Sequence, residues 1–131
     1  MAECLSEELD GLQARCLRNM LRIPASFVSR VSNKKVLERA GQKPFTTQLV
    51  RHQLLLLGRI ARAPDSDLRR RLTFCRGTLW PATNLFVRRV GRPRHEWAPK
   101  LLQIVYSTWG HRAEQLMRNE GIWRVEVHKQ S

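Results

Sequence analysis

Negative charge is what this chain has least of: 11 Asp and Glu stand against 24 Lys and Arg in 131 residues. The resulting formal charge of +13 and pI near 11.3 point to a polyanionic partner, most often nucleic acid, because so much like charge repels itself in a compact state. Lysine is also scarce, with only Lys34, Lys35, Lys43, Lys100 and Lys129, so arginine carries most of the charge. Guanidinium forks match phosphate geometry better than ammonium groups do. Cysteine is limited to Cys4, Cys16 and Cys75, an odd number with no CxxC pair, which excludes a disulfide framework and a zinc knuckle and fits a reducing compartment.

No run of eighteen apolar residues occurs, so no membrane partner is expected. Glu3, Glu7 and Glu8 at the start are unlike a signal peptide, and a nuclear or cytoplasmic location follows as the expectation. There is no Walker A loop and no dinucleotide fingerprint. His52, His95, His111 and His128 are scattered without a pairing spacing, and Asp65 with Asp67 do not suggest a two-metal site. No catalytic residue, metal or cofactor is expected. The chain is long enough for one domain with a core of its own.

The stretch from Thr46 to Ala63, TTQLVRHQLLLLGRIARA, is the most apolar in the chain. Leu49, Val50, Leu54, Leu56, Leu57, Ile60 and Ala61 fall on one half of a helical wheel, while Gln48, Arg51, His52, Arg59 and Arg62 share a stripe roughly 100° wide. One helix then carries both a core face and a cationic face, capped by Thr46 or Thr47 and stopped by Pro64.

Residues 6 to 22 form a second amphipathic pattern, with Leu5, Leu9, Leu12, Cys16 and Met20 as its inward side and Ser6 as its cap. Arg15, Arg18 and Arg22 make a cationic stripe away from the leucines. Ala25 to Val31 reads as an ordered loop, and Asn33 as the cap of a helix from Lys34 to Ala40 that ends on Gly41. After Pro64 a helix restarts at Asp65 or Ser66, with Leu68, Leu72 and Phe74 inward and Arg69, Arg70 and Arg71 outward. Pro99 suits the first turn of a helix carrying Leu101, Leu102, Val105 and Trp109, broken at Gly110. Arg112 to Asn119 reads as a last helix, and periodicity leaves 122 to 127 open between strand and helix.

These elements predict an all-α fold, a small bundle of five to six helices. A basic Gly/Pro connection over 77–97 would separate an N-terminal lobe, 1–76, from a C-terminal segment, 98–131, and Gly77 to Asn84 is its flexible part. Within it, RRVGRPRHEW from Arg88 to Trp97 is similar to an AT-hook, which lays arginines along a narrow minor groove. The same residues also read as a basic turn leading to a helix anchored by Trp97. Among the tryptophans, Trp80 is the best placed for base stacking, and Trp97, Trp109 and Trp123 suit helix packing.

The order of LDGLQARCLRNMLRI, RVSNKKVLERAG, LVRHQLLLLGRIARAPDSD, GRPRHEWAPKL and IWRVEV resembles the region after the polymerase palm in reverse transcriptases of non-LTR (LINE-type) retrotransposons. The resemblance covers about residues 9 to 127. Arg59 stands where many relatives have histidine after the glycine, which argues against metal chemistry at that position. No (Tyr/Phe)-x-Asp-Asp motif, finger region, endonuclease or CCHC knuckle occurs, so the resemblance implies a thumb and post-thumb fragment that cannot polymerise alone. It would have the missing polymerase domain as a partner and would grip a duplex or RNA/DNA hybrid by its backbone. The residues expected to do so are Arg15, Arg18 and Arg22, then Arg51, Arg59 and Arg62, then Arg88, Arg89, Arg92 and Arg94. Two other readings stay open: a stand-alone AT-hook-like DNA-binding protein, and a helical protein-interaction module.

Overall fold

A computed structural model describes residues 2–82, 91 and 97–130, with side chains from Ser6 onward. It is all-α: every regular element among the described residues is helical, and extended pairing is limited to one isolated bridge between Phe74 and Pro81. The chain separates into two compact units, Met1–Val50 and Arg51–Ser131. The boundary falls inside the apolar helix.

The first unit contains α1 (Ala2–Met20), α2 (Ser26–Ser29), α3 (Asn33–Ala40) and the start of α4 (Phe45–Arg62). Ser6 lies within α1 and does not cap it, and a short helix occupies the stretch expected to be loop. Ser32, one residue before Asn33, caps α3 by accepting from the Lys35 N–H at 3.4 Å. Gly41 closes α3 in the left-handed conformation, φ 63°, where a side chain would be strained. Val36 is the fully buried residue of α3.

The inward side of α1 differs from the expected one. Leu12, Cys16 and Met20 are exposed, and the buried positions are Gln13, Ala14 and Arg18; Leu5 lies outside the described side chains. The cause is polar docking. The first N–H groups of a helix have no partner of their own, and α1 supplies two: Gln13 Oε1 accepts from Phe45 N at 2.9 Å and Asp10 Oδ1 accepts from Thr46 N at 3.1 Å. Thr46 donates its hydroxyl to Asp10 Oδ2 at 2.7 Å, and Gln13 Nε2 donates to Lys43 O at 2.9 Å. Thr46 is thus not a cap but a residue capped from another helix. Hydrophobic periodicity ignores such contacts, and so pointed α1 the wrong way.

The second unit is built on the remainder of α4, with α5 (Leu68–Thr73), α6 (Trp97–Trp109), a 3-10 turn (Gly110–Arg112), α7 (Ala113–Arg118) and α8 (Glu120–Lys129). Residues 122–127 are therefore helical, capped by Asn119, whose side chain accepts from Ile122 N at 3.2 Å. Leu54, Leu57 and Ile60 of α4 are buried, as are Leu101, Leu102 and Val105 of α6, Met117 of α7, and Trp123 and Val127 of α8. Leu49 and Leu56 are exposed.

Trp123 fixes α8 on α4. Its indole N–H donates to Leu54 O at 2.9 Å, and its ring lies against Gly58, where any Cβ would overlap it. Trp109 stacks on Trp123 at 4.9 Å between ring centres, tilted by 54°, within the range preferred by aromatic pairs.

Around α5 the expected facing holds for Phe74, which is buried, and for Arg69 and Arg71, which are exposed, and fails for three residues. Leu68 and Leu72 are exposed, while Arg70 is buried beside Phe74, its guanidinium carbon 5.6 Å from the ring centre. Arg70 donates to Asp65 Oδ1 at 2.9 Å, to Thr78 O at 3.2 Å and to Ala61 O. An arginine can bury its stem while its head satisfies several acceptors, and here it ties the end of α4 to the turn after α5.

Candidate nucleic-acid interface

Six of the ten arginines expected to hold phosphate are described, and they divide by what already occupies their guanidinium groups. Arg15, Arg22 and Arg59 are exposed, and their side chains have no hydrogen bond or ion pair among the described residues. Arg15 and Arg22 belong to the first unit and Arg59 to the second.

Arg18 is not part of any surface stripe. It is 7% exposed and donates to Pro24 O at 3.0 Å, to Asn33 Oδ1 at 3.0 Å and to Val31 O. These bonds brace a turn in which Arg22 and Arg30 both hold positive φ, 53° and 57°, a conformation that costs a residue with a side chain roughly 1–2 kcal/mol. Arg18 thus organises the α1–α3 connection, and its neighbours keep it from phosphate.

Arg51 and Arg62 are half-buried and partly engaged. Arg51 Nη2 meets His128 Nε2 at 2.6 Å, and His128 Nδ1 meets Arg124 O at 2.7 Å. A carbonyl can only accept, so Nδ1 carries the hydrogen and Nε2 accepts from Arg51. Arg62 Nη1 donates to Met117 O at 2.8 Å, joining α4 to α7. The stripe on α4 is therefore divided, with Arg59 turned to solvent and Arg51 and Arg62 holding other helices. Arg88, Arg89, Arg92 and Arg94, with the AT-hook-like motif they form, lie outside the described residues, as do Asn84 and His95.

Cations that no stripe included are also exposed. In the first unit these are Arg30, Lys34, Lys35 and Arg39, and in the second Arg71, Arg76, Arg112 and Arg118. The signal for Lys34, Lys35 and Arg39 was the inward Val36, which sends its neighbours on α3 outward. Arg69 is exposed but paired with Asp67 at 2.8 Å. The second unit holds 16 of the 24 basic residues and 6 of the 11 acids.

Three acids of the second unit, Asp65, Asp67 and Glu126, are engaged internally. The Arg70 hydrogen bond, with the Gly77 N–H, holds the Asp65 carboxyl below the usual carboxylate range. Arg69 does the same for Asp67, which also caps α5, and Lys129 for Glu126. Each carboxylate stays ionised beside its own partner, so these acids offset few of the exposed cations. Burial, followed by the charge and hydrogen bond of Glu114, pushes the Tyr106 phenol up. Among the described residues no three His, Cys, Asp or Glu side chains converge as metal ligands, and no helix is long and apolar enough to cross a membrane.

The segments that carry the family resemblance meet in pairs. Arg18 of RCLRN bonds Asn33 of SNKKVL, and Trp123 of IWRVEV rests on Gly58 of LLLLGR. These motif residues are thereby explained as packing and capping groups. Comparison with known proteins finds no matching family model, no matching curated protein and no matching solved structure.

Proposed function

We propose that the chain is a non-catalytic nucleic-acid-binding protein that grips the sugar-phosphate backbone of a duplex or hybrid, as a fragment similar to the thumb of a retrotransposon reverse transcriptase. The observation that carries this reading is the set of exposed guanidinium groups without a partner among the described residues, Arg15, Arg22 and Arg59, in a chain of charge +13. Other exposed cations add to the positive surface, Arg30, Lys34, Lys35 and Arg39 in the first unit and Arg71, Arg76, Arg112 and Arg118 in the second, of which Arg76 lies near Asp65 and Arg112 near Glu126. Backbone contacts by such groups position a protein without reading sequence. Arg18 is left out of the grip.

The test is binding to a labelled duplex and a hybrid across a salt series. With six to ten phosphates neutralised, affinity falls by roughly 10³–10⁵ between about 50 and 200 mM salt, with little sequence preference. A flat salt response refutes the grip. A second reading, a helical protein-interaction module, is favoured by the exposed apolar side chains of the first unit, Met20 at 78% and Phe27 at 80%. It predicts self-association or partner capture that persists at high salt.

A further inference from the structure

A cleft in the second unit shares Arg118 with the cations of the backbone grip, which leaves its other lining groups unused. Its volume is about 510 Å³, with the turn after α5 on one side and α7 on another. Trp80 lines it and is 72% exposed.

The backbone that carries Trp80 is held by a closed turn. Cys75 N donates to Trp80 O at 2.8 Å and Ala82 N to Thr73 O at 3.0 Å, around the Phe74–Pro81 bridge. Phe74 anchors the turn from inside, and Arg70 secures it through Thr78 O. An indole gives its largest stabilisation when buried, so an exposed one lining a cleft, carried on a braced turn, is available to stack on a planar partner.

The other lining groups suit a base. Glu114 and Arg118 are one helical turn apart on α7 and therefore share a face. They offer an acceptor and a donor, and Tyr106 hydrogen-bonds Glu114 and helps orient it. Arg76, on the same turn as Trp80 and close to Asp65, adds positive charge for an attached phosphate. A few polar groups converging on an apolar surface are the usual make-up of a small-molecule site.

We infer that this cleft receives one unpaired nucleobase of a bound strand, stacked on Trp80 with its hydrogen-bonding edge toward Glu114 and Arg118. The inference rests on the nucleic-acid reading and adds to it a preference for strands with an unpaired end. Stacking tolerates any base because each has a π face.

The test compares a short blunt DNA duplex with the same duplex carrying a single-stranded tail, by fluorescence anisotropy with the full chain. Unmodified protein binds the tailed duplex more tightly. Trp80→Ala lowers tailed affinity by roughly five- to a hundredfold, to the blunt level, and leaves blunt binding unchanged. Trp80→Phe retains most of the difference, and far-UV circular dichroism checks that both variants are folded. Salt-dependent binding that is equal for both duplexes, or a Trp80→Ala loss of the same size on both, overturns the cleft while leaving the grip intact. Absence of salt-dependent binding to either duplex overturns the grip itself.

Discussion

Arg15 and Arg18 lie three residues apart on α1, and one faces solvent while the other is enclosed. Removing Arg18 would take the donor from Val31 O and Asn33 Oδ1 and leave Pro24 O to Ser29 Oγ, around a turn that already holds two left-handed arginines. Arg18→Ala is expected to destabilise the chain by about 2–4 kcal/mol in urea denaturation, since bonds to a charged group contribute about 1.5–3 kcal/mol and unsatisfied acceptors add to the loss. Arg15→Ala should change stability by no more than about 0.5 kcal/mol. It should also reduce the slope of log affinity against log salt by about one. Exchange of these two outcomes would reverse the assignment.

Asp65 gives a residue-scale prediction with a defined sign. Its folded pKa lies below the ordinary value of 3.8, first because Arg70 donates to it. The unfolded chain takes up this proton more readily, so the Asp65 contribution is complete above the ordinary range and is lost as pH falls through the lowered folded value. Urea midpoints measured from neutral pH downward should decline in that acid window, and Asp65→Asn should flatten part of the decline. An unchanged acid limb in the variant would remove Asp65 from the account.

At the scale of elements, α4 and α8 depend on the absence of a side chain at Gly58. A methyl there would displace the Trp123 ring and threaten its bond to Leu54 O. Overpacking of this kind costs about 1–3 kcal/mol, so Gly58→Ala should lower the thermal midpoint even though alanine favours helix. Trp123 fluorescence should shift toward the red as the indole gains water. A rise in midpoint, as helix propensity alone predicts, would show that the ring can move aside.

Element positions were readable wherever a local cause acts. Gly41 ends α3 and the helix carrying Leu101, Leu102 and Val105 breaks at Gly110, as read, whereas the caps fall one or two residues from those expected, Ser32 for Asn33 and Asp67 for Asp65 or Ser66. Facing was not readable where the deciding partner is distant in sequence. Asp10 and Gln13 bond groups more than thirty residues away, and Arg70 is drawn inward by carbonyls on either side of its helix. Of the arginines expected to contact phosphate, Arg15, Arg22 and Arg59 are exposed with no acceptor for their side chains among the described residues, whereas Arg18 has three.

For the whole molecule, excess positive charge makes salt act in opposite directions on folding and binding. Self-repulsion at +13 is screened as ionic strength rises, since the Debye length falls from about 10 Å at 0.1 M to about 3 Å at 1 M. The thermal midpoint of the free chain should therefore rise with salt while affinity for duplex falls. A midpoint that falls with salt would mean that internal ion pairs, such as Arg70 with Asp65 at 2.9 Å, outweigh the repulsion.

The amino-acid sequence by itself determined the helical class, the charge and the main helix ends, because propensity, capping and net charge depend on residue type and near neighbours. Tertiary structure alone decided which arginines hold the fold and which remain available to phosphate, because that depends on acceptors brought close by folding. Periodicity places Arg15, Arg18 and Arg22 in one row; enclosure of the middle one by Pro24, Val31 and Asn33 breaks it.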